Sequence, residues 1–262
     1  MTDLWQTIVL GVIEGITEFL PISSTGHLLI AEHWLGERTE LFNVAIQAGA
    51  ILAVLFIYWQ RLYLLFTHLG QSENRDYLAK LTVAFLITAV GGFIATRIGF
   101  KLAESLLPIA LALIVGGLAI LVIERVVAGR VPSSDVTWKV ACWVGACQIL
   151  AAVFPGTSRS ASTIFAAMLA GLTARPAATE FAFLVGIPTM FAATGYELLK
   201  TRGESGEEDW GALMVGFVVS GIVAFVAVKW LLRYIQSHRF TLFAWYRIVF
   251  GAGVLALALA SR

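Results

Sequence analysis

Glu14 and Glu18 stand four residues apart, and Ser23, Ser24, Thr25, Gly26 and His27 follow closely in the stretch EGITEFLPISSTGH, residues 14–27. On a helix, a spacing of four puts both carboxylates on one face. Like charges so placed repel unless a cation or a proton lies between them. Carboxylate oxygens and water suit Mg²⁺ or Ca²⁺, ions that often bridge to a substrate phosphate. The alternative is two carboxylates kept neutral or paired with arginine. Pro21 ends the first helical segment, and Ser23 or Ser24 can cap the second. Free N–H groups at that helix start, around Ser23, Thr25 and Gly26, make an anion site. His27, three residues after Ser24, comes round to the same face. A hydroxyl with an imidazole in reach serves as nucleophile with base, or as general acid on a leaving group. Taken singly, each hydroxyl is also an ordinary helix cap.

A second stretch, PGTSRSAST (155–163), repeats the design. Gly156 allows close backbone approach. Thr157, Ser158, Ser160 and Thr163 offer hydroxyls, and Arg159 offers a planar fork suited to bidentate phosphate binding. The competing reading of Arg159 is an internal salt bridge to Glu14 or Glu18. Together these residues describe a phosphate site with a metal.

What must position them is a membrane. The 262 residues are 59% hydrophobic and 13% charged, with a mean hydropathy of +0.85. Soluble domains carry nearer a quarter charged residues. No Lys/Arg-rich block points to nucleic acid, and a net charge of +1 says nothing of acidic partners. The start, MTDLWQ, lacks a basic n-region, so no cleaved leader is expected. Cys142 and Cys147 have no metal-ligand spacing and are expected as small buried apolar residues. Apolar runs near 42–59, 81–99, 106–124, 178–198, 211–232 and 241–260 are long enough to span a bilayer as helices. Residues 4–35 and 139–172 are interrupted by proline and polar turns, and read as re-entrant hairpins. Irregular backbone at membrane depth survives only where protein or a watery cavity meets it.

The hairpins resemble each other. At an offset of 134, ITEFLPISST lies over LAAVFPGTSR, with Glu14 over Gln148 and Ser24 over Ser158. Residues 42–54 lie over 181–193, and 85–93 over 217–225. The chain thus reads as one all-α membrane domain, 1–262, of two repeats (about 1–124 and 139–262). Each is a re-entrant hairpin plus three transmembrane helices, and an odd span number gives inverted topology. The segments 61–80, 125–139, 172–177 and 229–239, put on one side, hold ten basic residues, against six on the other side: Arg38, Arg97, Lys101, Lys200, Arg202 and Arg262. Positive-inside makes the ten-residue side cytoplasmic. The first hairpin then enters from outside and the second from inside, so that the polar turns can meet.

At these residues the chain resembles the undecaprenyl-diphosphate phosphatase, or bacitracin-resistance, family of bacterial inner membranes. EGITEFLPISSTGH is similar to the family's glutamate-rich first motif and PGTSRSAST to its PGxSRSxxT second motif. IQAGAILAV, TEFAFLVGIPT and FAWYRIVFG are also similar to family stretches, so the resemblance covers nearly the whole chain. Ala161 stands where members often carry glycine. The resemblance implies hydrolysis of undecaprenyl diphosphate to undecaprenyl phosphate and inorganic phosphate, recycling the lipid carrier of cell-wall synthesis. It implies a divalent cation, Mg²⁺ or Ca²⁺, on Glu14 and Glu18, and Arg159 gripping the diphosphate. Ser24 and His27 would divide nucleophile and acid–base roles, with Glu18 and Arg159 completing the catalytic set. Attack by Ser24 helped by His27 is the favoured version over attack by water or His27. A pocket open to the outer, periplasmic face is a further family expectation.

Gln47 is expected either in a helix–helix bond or at the site, and Arg247 on a lipid phosphate or on an internal carbonyl or carboxylate. Tyr246 and Trp5, Trp59, Trp210 and Trp230 fit interfacial anchoring. Gly91, Gly92, Gly116 and Gly117 suit close helix packing, with a homodimer as one use. The acidic stretch 204–210 reads as a loop. The rival class is a transporter or flippase of a polyprenyl phosphate lipid, since inverted repeats with broken helices also build transporters. His27 beside Ser24 tips the reading toward hydrolysis.

Overall fold

The computed structural model describes residues 4–99, 105–201 and 209–260, and over these it is all-helical. Lys101, Arg202, Arg262 and most of the stretch 204–210 lie outside the described residues. The helices are α1 Leu4–Thr17, α2 Ser24–Leu35, α3 Glu40–Ile57, α4 Trp59–Thr67, α5 Ser72–Arg97, α6 Leu106–Val127, α7 Trp138–Val153, α8 Arg159–Ala170, α9 Arg175–Thr201, α10 Trp210–Tyr234 and α11 Thr241–Ala260.

Six of them, α3, α5, α6, α9, α10 and α11, are long and apolar enough to cross a membrane, at the six places expected. This is a multi-pass membrane protein. α1, α2, α7 and α8 hold 14, 12, 16 and 12 residues. At 1.5 Å per residue none reaches across ~30 Å of hydrocarbon. They form two helical hairpins, α1–α2 and α7–α8, whose bends fall at the two polar motifs. The stretch 61–80, expected as a loop, is largely helical. α4 tucks Leu65 into the core, and α5 begins well before the membrane run, with charged residues in its first turns.

The packing exchanges elements between the two halves. α1 lies chiefly on α10 and α7 on α5; α3 packs on α10 and α9, and α6 on α11. Small residues make these approaches possible. A Cβ at Gly15 would strike the backbone at Ser220, one at Gly145 would strike Ala84, and one at Gly117 would strike Ala244. Gly91, Gly116 and Gly117 are thus used inside the chain. Cys142 is exposed on α7 and Cys147 only partly buried, against the expectation for both. Lipid is as apolar as a core, so an outward thiol costs little there.

The two bends share an unusual backbone. Among described non-glycine residues only Ser23 (φ 75°) and Ser158 (φ 71°) have positive φ, and each immediately precedes its helix. In backbone conformation it is Ser23, not Ser24, that matches Ser158. The second bend carries one more residue between proline and cap, so these two serines stand 135 residues apart, not 134.

Candidate active site

α1 brings Glu14 inward, and Glu18, the residue just past its end, turns the same way; both are buried. The bend then returns the chain so that Ser24, the first residue of α2, donates its hydroxyl hydrogen to Glu18 Oε2 at 2.5 Å. From the other hairpin Arg159, the first residue of α8, donates through Nη2 to Glu18 Oε1 at 2.9 Å. One carboxylate thus joins the starts of two short helices. Arg159 lies over the Phe19 ring, 5.6 Å from its centre, and against Gly186 of α9, where a Cβ would overlap Nη1. Its buried Nε and Nη1 have no hydrogen-bond partner. The salt bridge weighed against phosphate binding is present, yet it uses one nitrogen and leaves two.

Both carboxylate oxygens of Glu14 are buried without a hydrogen-bond partner. Uncompensated buried carboxylates are costly, so Glu14 calls for a proton or a cation beside it. Glu18 adds hard oxygen on the same face, although each of its oxygens is engaged.

Ser23 does not cap α2 with its side chain. Its Oγ is buried and has no partner. The α2 amides are therefore left unfilled by the cap, whereas Ser158 accepts from the Ala161 amide at 3.3 Å. A non-glycine residue at positive φ costs on the order of 1–3 kcal/mol, strain often found at functional sites.

Ser24, Thr25, Glu18, Gly156, Ser158 and Arg159 line one cavity of about 240 Å³. Its far wall is Gln47, Thr88, Gln148, Thr189 and Met190. Gln47 is thus at the site. Gly156 (φ 87°) sits so close to α6 that a Cβ would meet the Ile109 backbone at 3.0 Å.

Other expected site residues are spent elsewhere. Ser160 donates to the Leu20 carbonyl at 3.0 Å, tying the second hairpin to the first. Thr163 donates back to the Arg159 carbonyl at 2.9 Å. Gly26 packs toward Ile109, and Thr157 offers its carbonyl to Arg247 at 3.1 Å. His27 is not joined to Ser24. Its Nδ1 lies 2.7 Å from the Ser23 carbonyl, which can only accept, so Nδ1 carries hydrogen. Nε2 lies 2.7 Å from the Tyr246 hydroxyl, and the ring stacks on Phe250 with centroids 4.2 Å apart. Tyr246, read as an interfacial anchor, is also a partner of His27.

Arg247 is fully buried. It donates to five carbonyls, those of Pro21, Ala112, Leu113, Gly156 and Thr157, at 3.0–3.3 Å. Both hairpin bends and α6 hang on this one guanidinium, and Gly116 leaves room for it. Thr88, Gln148 and Thr189 escaped sequence reasoning as site residues. Only Gln148 had a signal, its repeat position over Glu14.

The geometry holds a hydroxyl against a carboxylate, with a partly free guanidinium and a helix start facing one cavity. Such a set can bind a phosphate and attack it. The chain is 61% identical over 258 residues to the undecaprenyl-diphosphatase of Rhizobium etli, covering 98% of this chain and 97% of that one. It is 60% identical over 258 residues to the undecaprenyl-diphosphatase of Rhizobium johnstonii, with the same coverage. It is 59% identical over 258 residues to that of Xanthomonas oryzae pv. oryzae, covering 97% of each. The profile of the family described as "Bacitracin resistance protein BacA" matches residues 7–253. With nearly the whole length covered on both counts, the chain belongs to that family.

Proposed function

We propose that the protein hydrolyses undecaprenyl diphosphate to undecaprenyl phosphate and inorganic phosphate. The observation that carries this reading is the Ser24–Glu18–Arg159 chain of contacts inside a cavity of the membrane region. The relatives named undecaprenyl-diphosphatase supply the lipid.

In this reading Ser24 Oγ attacks the terminal phosphorus while its proton passes to Glu18. Glu18 replaces His27 as the base, because both nitrogens of His27 are engaged away from Ser24. The bridging P–O bond breaks, and the proton moves on to the departing prenyl monophosphate. Water then attacks the phosphoserine phosphorus. One water proton reaches Ser24 Oγ through Glu18, and the other stays on the released phosphate. Arg159 Nε and Nη1 and the α2 helix start take the phosphate oxygens.

A divalent cation fits the donor set, since Glu14 has two buried, partnerless oxygens and Glu18 stands one turn away. When bound, such an ion supplies positive charge toward the phosphate oxygens. Charge balance favours it too. Glu14, Glu18, Arg159 and Arg247 cancel formally, so a diphosphate of roughly two to three negative charges arrives uncompensated. The exchanged packing of α1 on α10 and α7 on α5 supports two halves of inverted topology. Together with the basic-residue bias, this supports a first hairpin and a pocket facing the outer side of the bacterial inner membrane.

The test is phosphate release from a long-chain prenyl diphosphate by purified protein in detergent, with Mg²⁺, Ca²⁺ or a chelator. Release that needs the cation and disappears in Glu14→Gln at low cation supports both the reaction and the ion. Binding of the lipid without release under any divalent cation sinks the hydrolase reading. Lipid movement in liposomes would then favour the transporter.

A further inference from the structure

Gln148 of α7 is almost fully buried and lines the same cavity as Ser24, Glu18 and Arg159. Its Nε2 lies 2.8 Å from Thr189 Oγ1. That hydroxyl already donates its hydrogen to the Val185 carbonyl at 3.0 Å. Thr189 can therefore only accept from Gln148, which fixes the amide with nitrogen toward Thr189. The other end, Oε1, is buried and has no hydrogen-bond partner. A buried amide oxygen without a donor is costly and calls for a ligand.

The chemistry of that ligand is restricted. A carbonyl oxygen repels a phosphate oxygen, so Oε1 does not hold the anion. It does accept a hydrogen from water. We propose that Gln148 is the water-positioning residue of this site, presenting the attacking water to phosphorus through Oε1. This rests on the hydrolase reading and on the phosphoserine route given above, in which water attacks from the side that the prenyl phosphate has left. The water oxygen bonds to phosphorus and the opposite P–O bond breaks. One water hydrogen goes to Glu18 as the transferred proton. The second is held by Gln148 Oε1, which accepts a hydrogen bond and takes no proton, and that hydrogen stays on the released phosphate.

The assignment has a signature that a structural role lacks. Methanol can replace water as acceptor of the phosphoryl group, giving methyl phosphate, yet it has one hydroxyl hydrogen and nothing to offer Gln148. Removing Oε1 therefore slows hydrolysis and spares methanolysis. The experiment measures inorganic and methyl phosphate from a prenyl diphosphate in buffer with added methanol, for wild type, Gln148→Met and Thr189→Val. Losing one oriented hydrogen bond is worth about tenfold. Gln148→Met is expected to lose about tenfold in kcat for hydrolysis, keep KM within about twofold, and raise the methyl-to-inorganic phosphate ratio by about the same tenfold. Thr189→Val, which frees the amide, shifts the ratio the same way by less, and decides the matter if Gln148→Met fails to fold.

An unchanged ratio in active variants overturns the assignment and leaves the hydrolase reading standing. A shifted Mg²⁺ requirement with an unchanged ratio overturns it in favour of a cation ligand. A wild type that releases neither phosphate overturns the hydrolase reading and this one with it.

Discussion

The Ser24 hydroxyl lies 2.5 Å from Glu18 Oε2, six residues back across a bend in the chain. Only the bend at Pro21–Ser23 allows this contact, since residues six apart on a continuous helix lie about 120° apart around the axis and about 9 Å along it. Ser24→Ala is expected to lower kcat by at least about 10³-fold, and Glu18→Gln by about 10²–10³-fold. Both variants should keep their thermal unfolding temperature within a few degrees. Steady-state phosphate release, with unfolding followed alongside, checks this.

His27 should matter less than Ser24. Its ring is fixed by the Ser23 carbonyl and the Tyr246 hydroxyl, so it supports the bend rather than the attack. His27→Gln is expected to lose about ten- to a hundredfold in kcat/KM, and Tyr246→Phe less than about tenfold. If His27→Gln loses as much as Ser24→Ala, Glu18 is not the base.

Arg159 should resist conservative replacement. Lysine keeps the charge but cannot hold Glu18 and a phosphate with separate nitrogens of one plane. Arg159→Lys is expected to lower kcat/KM by about 10²-fold or more, with much of the loss in KM. Gly186→Ala, which crowds Nη1, should push KM the same way by a smaller factor. Kinetics on a prenyl diphosphate series would read both.

Much of this site was legible because buried ionisable groups in a membrane chain are conspicuous. Glu14, Glu18 and Arg159 stand out by type alone, and the prolines mark both bends. The partners were harder to read. Nothing local pairs Ser24 with Glu18 instead of His27, because that choice follows from how Ser23 turns at positive φ, a conformation serine rarely adopts. Tyr246 lies 219 residues from His27, and its aromatic type matched an interfacial role equally well. The extra residue in the second bend slipped past the alignment because the prolines matched so well. Gln148 carries no charge, and its repeat position over Glu14 says nothing of its partners, so the orphaned oxygen is what marks it out.

Arg247 should govern stability. Replacing it by methionine strips five carbonyls of their donor in a buried place. A loss of roughly 3 kcal/mol or more is expected, measured as a fall in thermal unfolding temperature in detergent. Arg247→Lys should recover part of it, since an ammonium reaches some of the same oxygens. Gly116→Ala should mimic the loss by displacing the side chain.

The exchange of elements between the halves also bears on biosynthesis. α1 carries Glu14 and leads into Glu18, yet the helix it rests on, α10, begins only at Trp210. At ~5–20 residues per second, α1 waits on the order of 10–40 s before its neighbour leaves the ribosome. During that interval Glu14, on a helix too short to cross the bilayer, and Glu18 just past its end lack the face that α10 provides. The nascent chain must be sheltered by the insertion machinery, or hold its first hairpin in the headgroup region, until the second half arrives to draw it in.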